Sequence, residues 1–285
     1  MVEHKRLEPR VPFRVLSLDG GGIKGAYTAS VLAEIERMTG KNLAAHFDLI
    51  TGTSTGGIIA IGLGLGLPPA RALELYSDRG PTIFPRRSWW HSLWNVKHDA
   101  KILESELERT FGTRRLGESL RRLVVPSFNA QTGRIQLFKT AHSPAYKQDH
   151  KSLAVSVAMS TAAAPTYFQA YSSPEGGAYI DGGVWANCPA LVGFLEASCI
   201  LNIPTDRIHV LSIGTTSAPW SVKEPQRRGG RFRWANDAAD LFMEAQTSAI
   251  IGQCELLMGA RFVRVNDIVE PCLLYTSDAA DERSS

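Results

Sequence analysis

Apolar runs and glycine-rich stretches alternate along the first seventy residues. The run Phe13 to Leu18 predicts a strand, which meets Asp19-Gly-Gly-Gly22 and is followed by apolar residues at helical spacing. The residues of that helical face are Ile23, Tyr27, Val31, Leu32, Ile35 and Met38. A second unit repeats this order, with a strand at Phe47 to Thr51, a sharp turn at 52–56 and a buried helix at 57–67. Two such units in series predict a parallel sheet with helices on both faces.

The remainder of the chain continues the alternation of strands and helices. Further strands are predicted at 121–127, 136–139, 208–213 and 261–265, and Tyr179-Ile180 ends a strand at Asp181. Helices are predicted at 152–163, 189–201 and 235–257. The pattern predicts an α/β fold, without an internal repeat. We expect residues 1–12 to form an N-terminal extension and residues 13–271 to form one domain.

Composition narrows the classes of protein. The chain has 285 residues, of which 44% are hydrophobic, and this excludes a fibre and a disordered chain. Its 31 basic and 28 acidic residues give a net charge of +3, too small to demand a nucleic-acid polymer as partner. The charged start, Met1 to Arg10, lacks an apolar core, and the longest apolar run, Ile58 to Leu67, is too short to span a bilayer. We therefore expect a cytoplasmic protein.

Cysteine spacing argues against a metal site. The four cysteines are Cys188, Cys199, Cys254 and Cys272. They form no C-x-x-C pair and have no histidine at metal-ligand spacing. We expect reduced, buried thiols, no metal and no cofactor.

The last fourteen residues differ in origin from the rest in our interpretation. The stretch Cys272 to Glu282 matches the translation of a sequencing-library adapter, so the tail 272–285 is left out of fold reasoning. We expect the natural sequence to be visible only to about Pro271, and the domain to be truncated at its C-terminal end.

The stretch Gly52-Thr-Ser-Thr-Gly56 is a G-x-S-x-G motif between a predicted strand and a predicted helix. Small residues two positions before and after Ser54 permit a tight strand-to-helix turn, which exposes the hydroxyl at a helix N-terminus. An activated serine nucleophile needs this exposure. The G-x-S-x-G motif alone is weak evidence for a nucleophile, and the prediction rests on its position between a strand and a helix.

A glycine loop, Gly20-Gly-Gly-Ile-Lys-Gly25, precedes the first helix. It matches G-x-G-x-x-G, but a dinucleotide site needs an acidic residue at the end of the next strand, where the Ser54 turn lies instead. A phosphate-binding P-loop also fails, because Ala26 and Tyr27 follow Gly25. The amides of Gly20, Gly21 and Gly22, with that of Thr55, are therefore predicted to stabilise an oxyanion.

The base for Ser54 has two candidates. Asp181, at the end of a predicted strand, would accept the proton if desolvation raised its pKa toward neutrality. The chain order Ser54, Asp181, His209 also fits a hydrolase triad, although His209 lies inside a predicted strand. Both hypotheses, a dyad and a triad, stay open on the residues alone.

At these residues the chain resembles the patatin-like phospholipase family. Its oxyanion loop corresponds to Asp19–Gly25, its nucleophile elbow to Gly52–Gly56 and its catalytic aspartate motif to Asp181–Gly183. The residues that support these motifs are Asp19, Lys24, Gly25, Gly52, Gly56, Gly182 and Gly183. The similarity extends through 158–168, 187–189 and 212–215, so it covers about Arg14 to Asn266.

The resemblance implies a three-layer α/β/α fold and a lipid acyl hydrolase of the phospholipase A or lysophospholipase type. It implies a dyad of Ser54 and Asp181, without histidine and without metal. The start of the chain also resembles effectors of CBASS antiphage systems, which implies a cyclic oligonucleotide as activator and membrane phospholipid as substrate.

Two long segments suit contacts with ligands or membranes. The first, Phe84 to Lys97, mixes tryptophans with cations, a composition typical of membrane interfaces and equally of a cap packed on the core. Its predicted contact residues are Arg86, Arg87, Trp89, Trp90 and Trp94. The second, Gln226 to Trp234, is basic and aromatic, and suits a phosphate of a lipid or nucleotide, or simply a solvated loop.

Two functions from other classes remain open at this point. One is a ligand-gated binding or signalling module with little or no hydrolysis. The other is an acyl transferase that shares the acyl-enzyme. Covalent modification of Ser54 separates the first from a hydrolase, and the identity of the acyl acceptor separates the second.

Overall fold

The computed structural model describes residues 12–78, 80–83, 99–165, 167–217 and 238–268. Within these ranges the strands are β1 (Phe13–Leu18), β2 (Leu49–Gly52), β3 (Arg122–Asn129), β4 (Arg134–Lys139), β5 (Tyr171–Ser172), β6 (Ala178–Asp181), β7 (Ile208–Ile213) and β8 (Phe262–Val265). The helices are α1 (Gly25–Thr39), α2 (Thr55–Gly64), α3 (Pro69–Asp78), α4 (Gly80–Ile83), α5 (Ala100–Phe111), α6 (Ala154–Ala162), α7 (Gly183–Ala186), α8 (Ala190–Leu195) and α9 (Ala238–Met258). A π-helix, Glu196–Ile200, continues α8.

The strands form one mixed sheet, most of it parallel. Pairing runs from β5 through β6, β3, β2, β1 and β7 to β8, and β4 pairs with β3. Strands β3, β2, β1, β7 and β8 are mutually parallel, whereas β4, β5 and β6 join by antiparallel pairing. This confirms the α/β class and the mostly parallel sheet.

Strand β1 lies at the centre of the sheet, and its side chains alternate between two cores. Leu16 and Leu18 belong to the core under α1, α2 and α6, whereas Phe13 and Val15 belong to the core under α8 and α9. All four side chains are fully buried. Because both faces of a parallel strand are covered, β1 is apolar on both sides.

Three side chains differ from expectation. Ile23 and Met38 are 45% and 73% exposed, although both were predicted on the buried face of the first helix. Ile23 lies in the 3₁₀ turn Gly22–Lys24 before α1, and Met38 lies in the last turn of α1, so neither follows the helical stripe inward. Cys199 is exposed, whereas Cys188 and Cys254 are buried as expected.

Candidate active site

A sharp turn between β2 and α2 carries Ser54. The backbone of Ser54 has φ 54° and ψ −124°, a left-handed conformation that side chains rarely adopt. A Cβ on Gly52 would lie 2.2 Å from the carbonyl oxygen of Gly56, and one on Gly56 would lie 2.3 Å from the carbonyl oxygen of Leu18. Only glycine fits these two positions, as the motif predicts. Ser54 alone is partly exposed among buried neighbours.

The strained turn is held by neighbouring elements. The Ser54 amide donates to Thr161 Oγ1 at 3.0 Å, and Thr161 Oγ1 donates to the carbonyl of Pro126 at 2.6 Å. The Thr53 hydroxyl donates to the carbonyl of Ala186 at 2.6 Å. Strain of this kind costs about 1–3 kcal/mol and persists only where surrounding contacts enforce it, which is typical of active sites. Thr161 lies in the segment of family resemblance, but no local pattern assigned it this role.

Antiparallel pairing brings Asp181 to the same end of the sheet as Ser54. Val124 pairs with both β4 and β2, and Ser127 pairs with both β4 and β6. Since a strand has two edges and β4 occupies one, β2 and β6 share the other edge of β3. Their carboxyl ends, Gly52 and Asp181, therefore approach each other along that edge. An aspartate at the end of β6 is thus aimed at the serine that follows β2.

The Asp181 carboxyl is buried, with 5% of the residue exposed. Its Oδ1 accepts a hydrogen bond from the Gly183 amide at 2.6 Å. Burial raises the pKa of Asp181 to about 6, and hydrogen bonds from the Ser54 hydroxyl and the Gly183 amide oppose that rise. The structure therefore joins a serine hydroxyl to a carboxyl whose pKa suits proton transfer near neutral pH.

The glycine loop lies beside this pair, and its three amides differ. The Gly20 amide donates to the carbonyl of Asn187 at 3.0 Å, so it is engaged and the prediction of Gly20 as an oxyanion donor is wrong. Gly21 and Gly22 are partly exposed, and neither amide has a backbone partner within the described residues. Thr55 opens α2, where the first amides have no intrahelical acceptor. Gly21, Gly22 and Thr55 therefore remain as candidate donors.

Close packing explains the other glycines of the three motifs. A Cβ on Gly25 would lie 1.8 Å from Thr55 Cγ2, so this glycine lets α1 approach the elbow. A Cβ on Gly182 would lie 2.4 Å from the carbonyl oxygen of Pro126. The Thr55 hydroxyl donates to the carbonyl of Gly22 at 2.6 Å, which links the elbow to the glycine loop. Lys24 is exposed.

The far end of the chain anchors the glycine loop. Asp19 Oδ2 accepts a hydrogen bond from Arg264 Nη2 at 2.6 Å, and Arg264 Nη1 donates to Ser212 Oγ at 2.7 Å. The Thr215 hydroxyl donates to the carbonyl of Gly20 at 3.1 Å. Burial raises the pKa of Asp19, and the Arg264 guanidinium only partly offsets this. Sequence reasoning missed Arg264, which lies 245 positions from Asp19 and belongs to no recognisable motif.

His209 lies at the wrong end of its strand for a triad. It pairs with Arg14 near the start of β1, whereas Ser54 follows the carboxyl end of the neighbouring β2. His209 lies four positions before Ile213, the carboxyl end of β7, which is about 13 Å at the usual rise of a strand. The triad hypothesis is therefore wrong, and Asp181 is the base that the geometry offers.

The remaining predicted contacts fall on other parts of the chain. Arg86, Arg87, Trp89, Trp90 and Trp94, and the basic segment 226–234, lie outside the described residues. Among the described residues, no group of histidine, cysteine, aspartate or glutamate side chains is arranged to hold a metal ion. None of the described helices is both long and apolar enough to cross a bilayer.

Known proteins resemble this chain in sequence. A model of the family described as patatin-like phospholipase matches residues 16–194. The chain is 37% identical over 265 residues to a cGAMP-activated phospholipase of Pseudomonas aeruginosa, covering 91% of this chain and 79% of that one. It is 37% identical over 236 residues to a cGAMP-activated phospholipase of Escherichia coli, covering 75% and 65%. The crystal structure of VipD from Legionella pneumophila superposes with a TM-score of 0.48 at 13% identity, covering 95% of this chain and 68% of that one.

The family match spans more than half of the chain and includes the whole glycine loop, the Ser54 turn and Asp181. The Pseudomonas relative extends the similarity over nearly the whole chain. The chain therefore belongs to the patatin-like phospholipase family.

Proposed function

We propose that this chain hydrolyses fatty-acyl esters of phospholipids or lysophospholipids, with Ser54 as nucleophile and Asp181 as general base. One observation carries the proposal. The hydroxyl of Ser54, on a strained and partly exposed turn, interacts with the buried carboxyl of Asp181, whose pKa burial raises to about 6. A surface serine with a structural role needs neither the strain nor the perturbed partner.

The acylation step follows from this arrangement. Asp181 takes the proton of the Ser54 hydroxyl as the oxygen attacks the ester carbonyl carbon. The carbonyl oxygen gains negative charge and is stabilised by the amides of Gly21, Gly22 and Thr55, together with the N-terminus of α2. When the intermediate collapses, the bond to the alcohol breaks and Asp181 returns the proton to the leaving oxygen. The fatty acyl group is then esterified to Ser54.

Deacylation repeats the chemistry with water. Asp181, again ionised, takes a proton from a water molecule, whose oxygen attacks the acyl carbonyl. Collapse of the second intermediate releases the fatty acid and returns the proton to Ser54. Each donor of the oxyanion site contributes roughly 3 kcal/mol to lowering the barrier in comparable hydrolases. The same two residues thus serve both halves of the reaction.

The names of the relatives support a regulated enzyme. Two relatives that share 37% identity with this chain are described as cGAMP-activated phospholipases. We therefore also propose that a cyclic oligonucleotide activates this chain. We further propose that the chain acts as a peripheral protein at the inner face of the membrane. The check is hydrolysis of phospholipid vesicles with and without cGAMP. Equal rates of hydrolysis with and without cGAMP would contradict activation by the nucleotide but not the proposed hydrolysis.

A fluorophosphonate probe tests the nucleophile without a choice of lipid. We expect the wild-type chain to be labelled, with or without cGAMP, and Ser54→Ala to remain unlabelled while unfolding at a similar temperature. Ser17→Ala is a matched control, because Ser17 is a fully buried serine in β1 that the probe cannot reach. Absence of labelling in folded wild-type protein under both conditions would contradict the proposal and favour a binding module. Transfer of the acyl group to an added alcohol rather than to water would identify a transferase.

A further inference from the structure

The last turn of α6 lies between the turn that carries Ser54 and the turn that carries Asp181. All nine residues of this helix, Ala154–Ala162, are buried. On one side, the Thr161 hydroxyl accepts the amide hydrogen of Ser54 at 3.0 Å. On the other, the carbonyl of Ala163 accepts the amide hydrogen of Asp181 at 3.0 Å. The end of one helix therefore contacts both residues of the proposed catalytic pair.

Thr161 links two strands that the sheet itself leaves apart. On the edge of β3 that β2 and β6 share, β2 pairs as far as Val124 and β6 pairs from Ser127 onward. Val125 and Pro126 lie between these two pairings. Pro126 has no amide hydrogen to donate, and its carbonyl oxygen accepts the Thr161 hydroxyl at 2.6 Å. A side chain of α6 thus supplies the connection at the point where strand pairing is interrupted.

The direction of the Thr161 hydroxyl is fixed by its partners. A serine or threonine inside a helix often donates to the carbonyl four residues earlier, as Ser160 does to Ser156 at 2.7 Å. Thr161 donates to Pro126 instead. Because a hydroxyl has one hydrogen, the same oxygen can only accept from the Ser54 amide. The Ser54 amide is therefore held toward the protein interior and is not available to an oxyanion.

The backbone of Thr161 holds the aspartate turn. Its carbonyl oxygen accepts a hydrogen bond from the Gly182 amide at 3.3 Å. The last carbonyls of a helix have no intrahelical donor, and those of Thr161 and Ala163 are occupied by the amides of Gly182 and Asp181. Gly182 also packs against the Pro126 carbonyl, from which its Cβ would lie only 2.4 Å. Both turns are thus fixed to one helix end and one strand carbonyl.

We infer that Thr161 is a positioning residue for the reaction, which sets the distance between the Ser54 hydroxyl and the Asp181 carboxyl by holding both turns. Its hydroxyl fixes the nucleophile turn, and its carbonyl fixes the aspartate turn. The inference rests on the proposed function and deepens it, because it names a residue that touches no substrate and on which proton transfer depends.

The methyl group of Thr161 makes a separate contact, so the hydroxyl can be tested on its own. Thr161 is fully buried, and a Cβ on Gly57 would lie 2.8 Å from its Cγ2, so α2 packs closely on the methyl group. Thr161→Val keeps the branched shape and removes the hydroxyl. Thr161→Ser keeps the hydroxyl and removes the methyl group. The two variants therefore separate hydrogen bonding from packing.

Hydrolysis of a soluble ester measures the role of the hydroxyl. We expect Thr161→Val to lower kcat about 10²-fold and to leave KM within about twofold, because a small displacement of the nucleophile slows the chemical step but not binding. Thr161→Ser should keep kcat within about threefold of the wild-type value, because both hydrogen bonds of the hydroxyl remain possible. Rates are normalised to the folded fraction from circular dichroism.

Thr140→Val is the matched control. Thr140 is also buried, and its Oγ1 likewise accepts a backbone amide hydrogen, that of Leu123 at 3.0 Å. It lies near the amino end of β3, whereas the Ser54 turn follows the carboxyl end of β2. We expect Thr140→Val to lower the unfolding temperature about as much as Thr161→Val does, and to leave kcat unchanged.

The pH dependence of Ser54 labelling distinguishes positioning from general support of the fold. The hydrogen bond from the Ser54 hydroxyl opposes the rise in the pKa of Asp181. Thr161→Val displaces this hydroxyl, so the pKa of Asp181 should rise further. The midpoint of fluorophosphonate labelling against pH should then move above the wild-type midpoint. Thr161→Ser and Thr140→Val should keep the wild-type midpoint.

Three results would overturn the inference. The first is a folded Thr161→Val chain that reacts at the wild-type rate, and the second is a loss of rate in that variant without a higher midpoint. The third is a hundredfold loss in Thr161→Ser, which would assign the effect to the methyl group and decides the question even if Thr161→Val does not fold. The proposed function fails on a different result, namely folded wild-type chain that is not labelled at Ser54 with or without cGAMP.

Discussion

Two buried carboxyl groups show how one fold gives the same chemical group opposite properties. Asp181 is 5% exposed and Glu196 is 4% exposed. Burial raises the pKa of Asp181 to about 6. Burial also acts to raise the pKa of Glu196, but hydrogen bonds from His142, Lys139 and Tyr146 outweigh it, and the pKa lies below its usual value. The degree of burial therefore does not decide the protonation of a carboxyl group.

The difference lies in the donors. Glu196 Oε2 accepts from Lys139 Nζ at 2.6 Å, and its Oε1 accepts from Tyr146 at 2.6 Å and contacts His142 Nε2 at 2.9 Å. Asp181 receives only the Gly183 amide and the Ser54 hydroxyl, neither of which carries a charge. An ionised carboxylate is well solvated by the first set of donors and poorly by the second.

Their places in the sheet match their roles. Asp181 ends β6 near the carboxyl end of β2, beside Ser54. Lys139 pairs with Val124 at the end of β4, toward the amino end of β3, and fixes the π-helix that begins at Glu196. One carboxyl group lies beside Ser54, at the end of the sheet that carries the proposed active site, and the other joins an edge strand to a helix at the opposite end. Replacing each carboxyl group by its amide, in Asp181→Asn and Glu196→Gln, tests this contrast.

Catalysis gives the largest expected difference. Asp181→Asn should reduce ester hydrolysis by at least about 10³-fold, because the amide cannot accept the Ser54 proton. Glu196→Gln should leave the rate per folded molecule within about twofold, because Glu196 contacts no catalytic residue. The measurement is hydrolysis of a soluble ester, normalised to the folded fraction from circular dichroism. Comparable losses in both variants would show that the two carboxyl groups do not have separate roles.

Stability should change in the opposite order. Glu196→Gln places an amide NH₂ against Lys139 or against the Tyr146 and His142 donors, and leaves a largely buried ammonium without its counter-charge. Breaking a buried pair in this way costs about 3 kcal/mol or more. Urea unfolding at pH 7 measures the loss. A control replaces Glu34, which pairs with Arg37 on an exposed helical face, and should cost under about 1 kcal/mol.

Asp181→Asn should instead stabilise the fold. The folded pKa of Asp181, about 6, exceeds its ordinary value of 3.8, so the folded state binds the proton more tightly than the unfolded state. The contribution of Asp181 is complete below pH 3.8 and falls as pH rises through 6, by about 3 kcal/mol in all. The gain from Asp181→Asn should therefore appear at pH 8 and vanish near pH 4. A gain independent of pH would contradict the raised pKa.

Local patterns predicted the elements well and the contacts between them poorly. The bounds of β1 and β7 were confirmed as Phe13–Leu18 and Ile208–Ile213, because most residues of a strand covered on both faces are apolar. The residues of β6 do not indicate that it pairs antiparallel to β3, because this pairing depends on which edge of β3 is free. The engaged amide of Gly20 and the role of Arg264 likewise depend on partners far along the chain.

The pH dependence of Ser54 labelling is the smallest of these effects and the sharpest test of the contrast. We expect the rate of fluorophosphonate labelling to level off above about pH 7 and to fall about tenfold from pH 7 to pH 5, with its midpoint near pH 6, as Asp181 becomes protonated. The same ionisation lowers stability over the same window, so reactivity rises while the contribution of Asp181 to stability falls. An indirect effect through folding would move both in one direction. Asp181→Asn should label slowly at every pH, and a retained rise near pH 6 in that variant would assign the titration to another group.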